Sequence, residues 1–407
     1  MTKIQLLFSP RLAALQQTLI SGNEAALDLF WQEIEAVGTP LIESITDDDS
    51  QWLVTFLYRA PLGVSSVEVV CPLAGRGRIN EPMTRLPLTN LWYKTYQVRP
   101  GLCTEYWLSV DGVTQPDRLN SRTLVFPPDE DAFFNKIVPE SWFEVPPVQA
   151  SSWMAPRPSD SPGHVERVRL KSLVLGNERP LTIYTPAGSD SSSQLQHVLI
   201  LFDRWAYAHV LPTSTVIDQL IAERSIPPIL VVMVGHPDDT VRSTELPCHA
   251  PFADFLAQEL MPWIRQRYQV SPHPARMVVG GMSYGGLAAA YAGLRYPEVF
   301  GNVLSQSGSF YWKPDSEVEY EWLPRRFVAS PRLLLNWYLS VGLLETHSWE
   351  GARPNLLLAN RHLRDILQAK GYSLHYTEFN GGHDYVWQLP CLAEGLRVLL
   401  GPSERND

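Results

Sequence analysis

Ser283 stands in Gly281-Met282-Ser283-Tyr284-Gly285, which fits the pattern G-x-S-x-G. The apolar run RMVVG precedes it and the helix-forming LAAAYAGLRYP follows, so the serine falls on a strand-to-helix turn. Small neighbours let strand and helix approach there, and the hydroxyl is lifted clear as a nucleophile for an acyl carbon. A hydroxyl needs a base to take its proton. His383, in NGGHDYVW after the last apolar strand, is the candidate, with Gly381 and Gly382 letting the loop bend over the strand ends. The acid that orients the imidazole belongs between them in the chain. Glu345, directly after the strand WYLSVG, is the first choice; Glu350, Asp315 and Asp365 remain open, and Asp384 is awkwardly close in sequence to the histidine. The developing oxyanion needs donors: the backbone N–H of Tyr284, and a second at Arg204 or Trp205 after HVLILFD. The alternative without chemistry is a tight βα turn carrying an idle serine.

The elements that must hold these residues are read from periodicity. HVLILFD (197–203), PILVVMVG (228–235), RMVVGG (276–281), GNVLSQSG (301–308), WYLSVG (337–342) and LHYTEF (374–379) are strand candidates, the first five continuous apolar runs expected of strands covered on both faces. Helical patterns over 251–268, 286–296, 353–370 and 392–400 alternate with them, which predicts a doubly wound α/β domain with its site at the carboxyl ends of the strands. The N-terminal part differs. Two short amphipathic helices within 12–37 break at Ser21-Gly22-Asn23, and QWLVTFLYRA, SSVEVVCPL, LWYKTYQV and TEYWLSVDG are short, aromatic and β-branched. They predict a small β-sandwich. Between the two parts, VPPVQASSWMAPRPSDSPGH (145–164) is dense in Pro and Ser and reads as a linker.

The whole chain narrows the function classes. Its 407 residues point to two domains. A formal charge of -10 disfavours nucleic acid and acidic membrane surfaces as partners. Four cysteines, spaced far apart with no C-x-x-C pair, read as reduced thiols. Residues 1–10 lack the apolar segment of a secretory signal, and no run approaches the roughly 18 apolar residues of a membrane span, so a soluble cytoplasmic protein is expected.

Five stretches resemble one family, the bacterial enterochelin (ferric enterobactin) esterases among the esterase D-like α/β hydrolases. They are FWQEIEAVGTPLIE (30–43), QPDRLNSRTL (115–124), STELPCHAPF (243–252), the run from Gly280 to Trp312, and GGHDYVWQ (381–388). The resemblance implies an N-terminal β-sandwich domain over 1–145, a linker over 146–164 and an α/β-hydrolase catalytic domain over 165–407. It implies hydrolysis of the trilactone esters of a ferric siderophore to dihydroxybenzoyl-serine units, with Ser283 as nucleophile, His383 as base and Glu345 as acid. No resident cofactor or metal is expected, because iron arrives with the substrate, and no obligate protein partner is implied. One departure is that Asp203 is followed by Arg204 where the family usually has glycine, which would add a positive charge to the mouth.

A ferric tris-catecholate is a trianion with flat aromatic arms, and guanidinium groups and ring faces suit it. Arg242, Trp205, Tyr207, Trp312 and Trp387 are the expected contacts, with Tyr311 beside them, whereas the pair Arg325-Arg326 reads as a solvated face or a lid. A carbohydrate or feruloyl-type esterase, an acyltransferase and a non-catalytic siderophore-binding protein are the rival readings.

Overall fold

Eight segments of the C-terminal part form one sheet: β1 (His164–Ser172), β2 (Asn177–Thr185), β3 (His197–Phe202), β4 (Ile229–Val234), β5 (Met277–Met282), β6 (Asn302–Gln306), β7 (Asn336–Gly342) and β8 (Ser373–Phe379). The computed structural model describes residues 9–45, 48–75, 77–128, 138–148, 150–156, 158–188, 195–348 and 353–402. The sheet order is β1-β2-β4-β3-β5-β6-β7-β8, and β2 alone runs against its neighbours. Every residue of β4 is buried, as are all but the first of β3 and β7, which is what their unbroken apolar runs require when helices cover both faces. The helix Tyr284–Arg295 lies close on the sheet because its inner positions are small: a Cβ at Gly293 would sit 2.7 Å from Val303 Cγ2.

The chain divides into two units. One comprises residues 1–126, 138–150 and 380–386; the other comprises 127–137, 151–379 and 387–407. The expected linker is therefore split: its first six residues pack with the N-terminal unit, Ser151–Met154 form a helical turn in the other, and β1 starts at His164. The segment 380–386, expected within the catalytic domain, belongs to the N-terminal unit.

That unit carries the helices Pro10–Ile20 and Ala25–Val37 and two antiparallel sheets. The first orders Leu41–Ile45, Asp48–Arg59, Leu91–Val98 and Thr84–Arg85; the second orders Ile79–Pro82, Val67–Cys71, Cys103–Val110, Glu140–Glu144 and Thr123–Leu124, with Val113–Gln115 beside Cys103–Val110. Phe56 of the first sheet meets Tyr106 and Phe143 of the second edge-on, with centroids 4.7 and 5.6 Å away, so the two faces share one core. The second helix starts after Glu24 without a side-chain cap, so the turn residue Asn23 does not serve as one.

Candidate active site

Parallel pairing of β5 with β3 on one side and β6 on the other brings the loops after these strands together. Ser283 follows β5 with φ 59° and ψ -121°, a conformation usual for glycine at the first central position of a type II′ turn. The serine holds it because the turn is pinned. Its N–H donates to Gln306 O at 3.0 Å, and its carbonyl accepts from Leu287 N at 3.1 Å and Ser309 N at 3.0 Å. The two motif glycines touch: a Cβ at Gly281 would lie 3.0 Å from Gly285 Cα. Gly286 is tighter still, since its Cβ would fall 2.5 Å from Ser305 Oγ. The half-buried hydroxyl of Ser283 sits at the N-terminus of the helix that begins at Tyr284, where the first N–H groups are unsatisfied by the helix itself. Ser309 Oγ is 3.3 Å from Ser283 Oγ.

Glu345 follows β7 and is 5% exposed. Its Oε1 accepts from Ser307 Oγ at 2.5 Å and from the Gly342 N–H at 2.7 Å, which fixes the carboxylate beside the β6 loop. Asp315 and Asp365 are exposed, the latter facing Arg364, and Glu350 lies outside the described residues. Asp384 is buried on Arg78 and Thr104. His383, between buried Gly382 and buried Asp384, is exposed.

The loop after β3 departs from expectation. Arg204 does not add charge to a mouth: it is 2% exposed, and its Nη1 reaches Thr182 Oγ1 of β2 at 3.2 Å. Tyr207 is likewise interior, its hydroxyl donating to Gln306 Oε1 at 2.7 Å, and Trp205 is 7% exposed with its indole N–H on Pro127 O. Both side chains are thus interior, where the sequence reading expected residues at an open mouth. Trp312 and Trp387 are half-buried; Trp312 meets Trp322 edge-on, and Trp387 stacks on Phe379 with centroids 4.9 Å apart. Arg325 pairs with Glu317 and Glu319, and Arg326 lies over Trp322, as a solvated face would have them.

Arg242 faces Asp203 rather than presenting an open fork. Its Nε lies 2.5 Å from Asp203 Oδ1 and Nη2 lies 2.8 Å from Oδ2, a bidentate pair beside the serine turn. Asp203, with φ 58°, closes β3, and its Oδ2 is 3.6 Å from where a Cβ on Gly285 would stand. Burial pushes the Asp203 carboxyl up, but the Arg242 charge and its hydrogen bonds outweigh that and hold it below the usual carboxylate range. A carboxyl depressed below its unfolded value of roughly 3.9 contributes stability above that pH and loses it as pH falls through the folded value. Arg242→Met, which strands the carboxylate, is therefore expected to cost about 3 kcal/mol at pH 7. Urea unfolding at successive pH values should show the gap to wild type narrowing as pH falls below the ordinary carboxylate range and through the depressed value of the folded group. A gap independent of pH would mean that the pair does not hold this turn.

Sequence reasoning passed over Ser307 and Ser309, although SQSGS at the end of β6 is a run of small polar residues where a site is expected. It also passed over Arg353, whose guanidinium lies 4.0 Å over the ring of Tyr311. Tyr311 in turn hydrogen-bonds Tyr284, the residue after the serine; burial first, then Tyr311, raises the Tyr284 hydroxyl above its ordinary value.

Known proteins resemble this chain along most of its length. Residues 172–398 match the family described as "Putative esterase". The iron(III) enterobactin esterase of Dickeya dadantii is 28% identical over 94% of this chain and 95% of its own, and that of Escherichia coli K12 is 28% identical over 87% and 93%. The enterobactin esterase of Shigella flexneri, solved in the presence of enterobactin, superposes with a TM-score of 0.74 at 26% identity over 93% of this chain and 98% of that one. With the family match extending over more than half of the chain and taking in the serine turn, the chain belongs to this esterase family and is an ester hydrolase with an α/β-hydrolase sheet.

Proposed function

We propose that the chain is a serine esterase that cleaves the trilactone ester bonds of ferric enterobactin-type catecholate siderophores, releasing dihydroxybenzoyl-serine units in the cytoplasm so that iron is more easily reduced. The likeness to enterobactin esterases along nearly the whole chain supports the substrate, and the pinned turn at Ser283 supports the chemistry. Ser283 Oγ attacks the lactone carbonyl while His383 takes its proton, and Glu345 orients the imidazole. The Tyr284 N–H and one from the Arg204-Trp205 backbone hold the oxyanion. His383 then protonates the leaving serine hydroxyl, and water, deprotonated by the same imidazole, frees the acyl group. The resting charge of Arg242 is committed to Asp203, so the cation best suited to a catecholate oxygen is Arg353, stacked on Tyr311, whose buried Nε meets no hydrogen-bond partner among the described residues.

Incubation of the protein with ferric enterobactin should yield linear trimer, then dimer and monomer of dihydroxybenzoyl-serine, resolved by chromatography. Intact siderophore after incubation with folded protein that still cleaves a simple aryl ester would overturn the substrate assignment and leave the esterase chemistry standing.

A further inference from the structure

We propose that Arg78 is a positioning residue for His383: by clamping Asp384, its guanidinium fixes the segment that carries the imidazole. The inference rests on the reading of His383 as the base. Residues 380–386 follow β8 in the chain yet form part of the N-terminal unit, and residues of that unit hold them at both ends and in the middle. Arg78 Nη2 lies 2.5 Å from Asp384 Oδ1 and 2.6 Å from Glu105 Oε2, and Nη1 lies 2.9 Å from Glu140 Oε2. The second oxygen of Asp384 accepts from Thr104 Oγ1 at 2.5 Å and from the Gly382 N–H at 3.1 Å. At the end of the segment the Val386 N–H donates to Glu105 Oε1 at 3.0 Å, and at its start the Asn380 carbonyl accepts from Cys103 N at 3.0 Å. Both ends and the middle are tied, and His383, itself exposed, lies between the buried Gly382 and Asp384.

The charge balance makes Arg78 the hub of this arrangement. Glu105 and Asp384 are fully buried and Glu140 nearly so, with one guanidinium among three carboxyls. Burial, followed by the proximity of Glu140, pushes the Glu105 carboxyl well above its ordinary range, whereas the Arg78 charge pulls it down. The three acids depend on Arg78, which also lies over the Trp107 ring at 4.7 Å. An apolar substitute for such a set is commonly as stable or more so, and the ionic version is suited to fixing one geometry. Asp384, held by Arg78 and Thr104, acts on the imidazole through the backbone that the two residues share.

The test uses the full chain. Arg78→Met is expected to lower kcat for ferric enterobactin roughly 10- to 100-fold, the scale of a misplaced catalytic group, with KM within about threefold. Arg78→Lys, which keeps the charge but pairs with one carboxylate at a time, should recover part of that loss. In a His383→Ala background Arg78→Met should add no further loss, because residues acting as a unit are not additive. If Arg78→Met fails to fold, the nearly isosteric Asp384→Asn is judged by the same criteria. Full activity of His383→Ala would sink the base assignment itself. An inactive His383→Ala alongside folded Arg78→Met and Asp384→Asn with wild-type kcat would overturn the positioning role alone, as would losses that add in the double variant.

Discussion

Ser283→Ala is expected to lose about 10⁵-fold or more in kcat for ester hydrolysis while keeping the fold, since removing the nucleophile from a serine hydrolase leaves only binding and oxyanion stabilisation. The structure adds a second, independent expectation at the same position. With φ 59° and ψ -121°, Ser283 holds a conformation that costs a residue with a Cβ roughly 1–3 kcal/mol, kept in place by the bonds to Gln306, Leu287 and Ser309. Ser283→Gly relieves that cost and gives back roughly 0.5–1 kcal/mol in the entropy of the unfolded chain. The glycine variant should thus be as inactive as the alanine variant yet more stable in urea by about 1 kcal/mol. A glycine variant no more stable than the alanine one would show that the turn stores no strain.

His383→Ala should cost nearly as much activity as Ser283→Ala, and the double variant should cost no more than either alone. Glu345→Gln is expected to lose about one to two powers of ten less. Glutamine keeps a carbonyl oxygen for the Ser307 hydroxyl and the Gly342 N–H that now meet Oε1, so the side chain stays in place while its charge is lost. Steady-state kinetics on ferric enterobactin settle the ranking. Glu345→Gln falling below His383→Ala would take the acid's role away from Glu345.

Much of the sheet was legible because burial on both faces writes unbroken apolar runs: β3 to β8 begin and end within two residues of the runs that predicted them. The first two strands escaped. β1 alternates Val165, Arg167 and Arg169 with Glu166, Val168 and Leu170 at an exposed edge, and β2 has Arg179-Pro180 within it, a poor strand signal by composition. The serine and the Glu345 loop were legible because a turn between strand and helix has a local signature. Side-chain partnerships had none. Arg204 turns to Thr182 and Arg242 to Asp203, though both were read as cations for the substrate, because the direction a guanidinium takes depends on carboxylates and hydroxyls far away in the chain. The bond from Arg78 to Asp384 spans 306 positions, which no spacing rule reaches.

The membership of residues 380–386 bears on how such a protein can be taken apart or recombined. A gene fragment starting near codon 151 would encode every strand of the large sheet together with Ser283 and Glu345, and would look complete on paper. It would leave behind Arg78, Glu105 and Glu140, so its histidine would hang on an unmoored tether. Chimeras that swap the N-terminal half between relatives therefore need the short tail-end segment to travel with it.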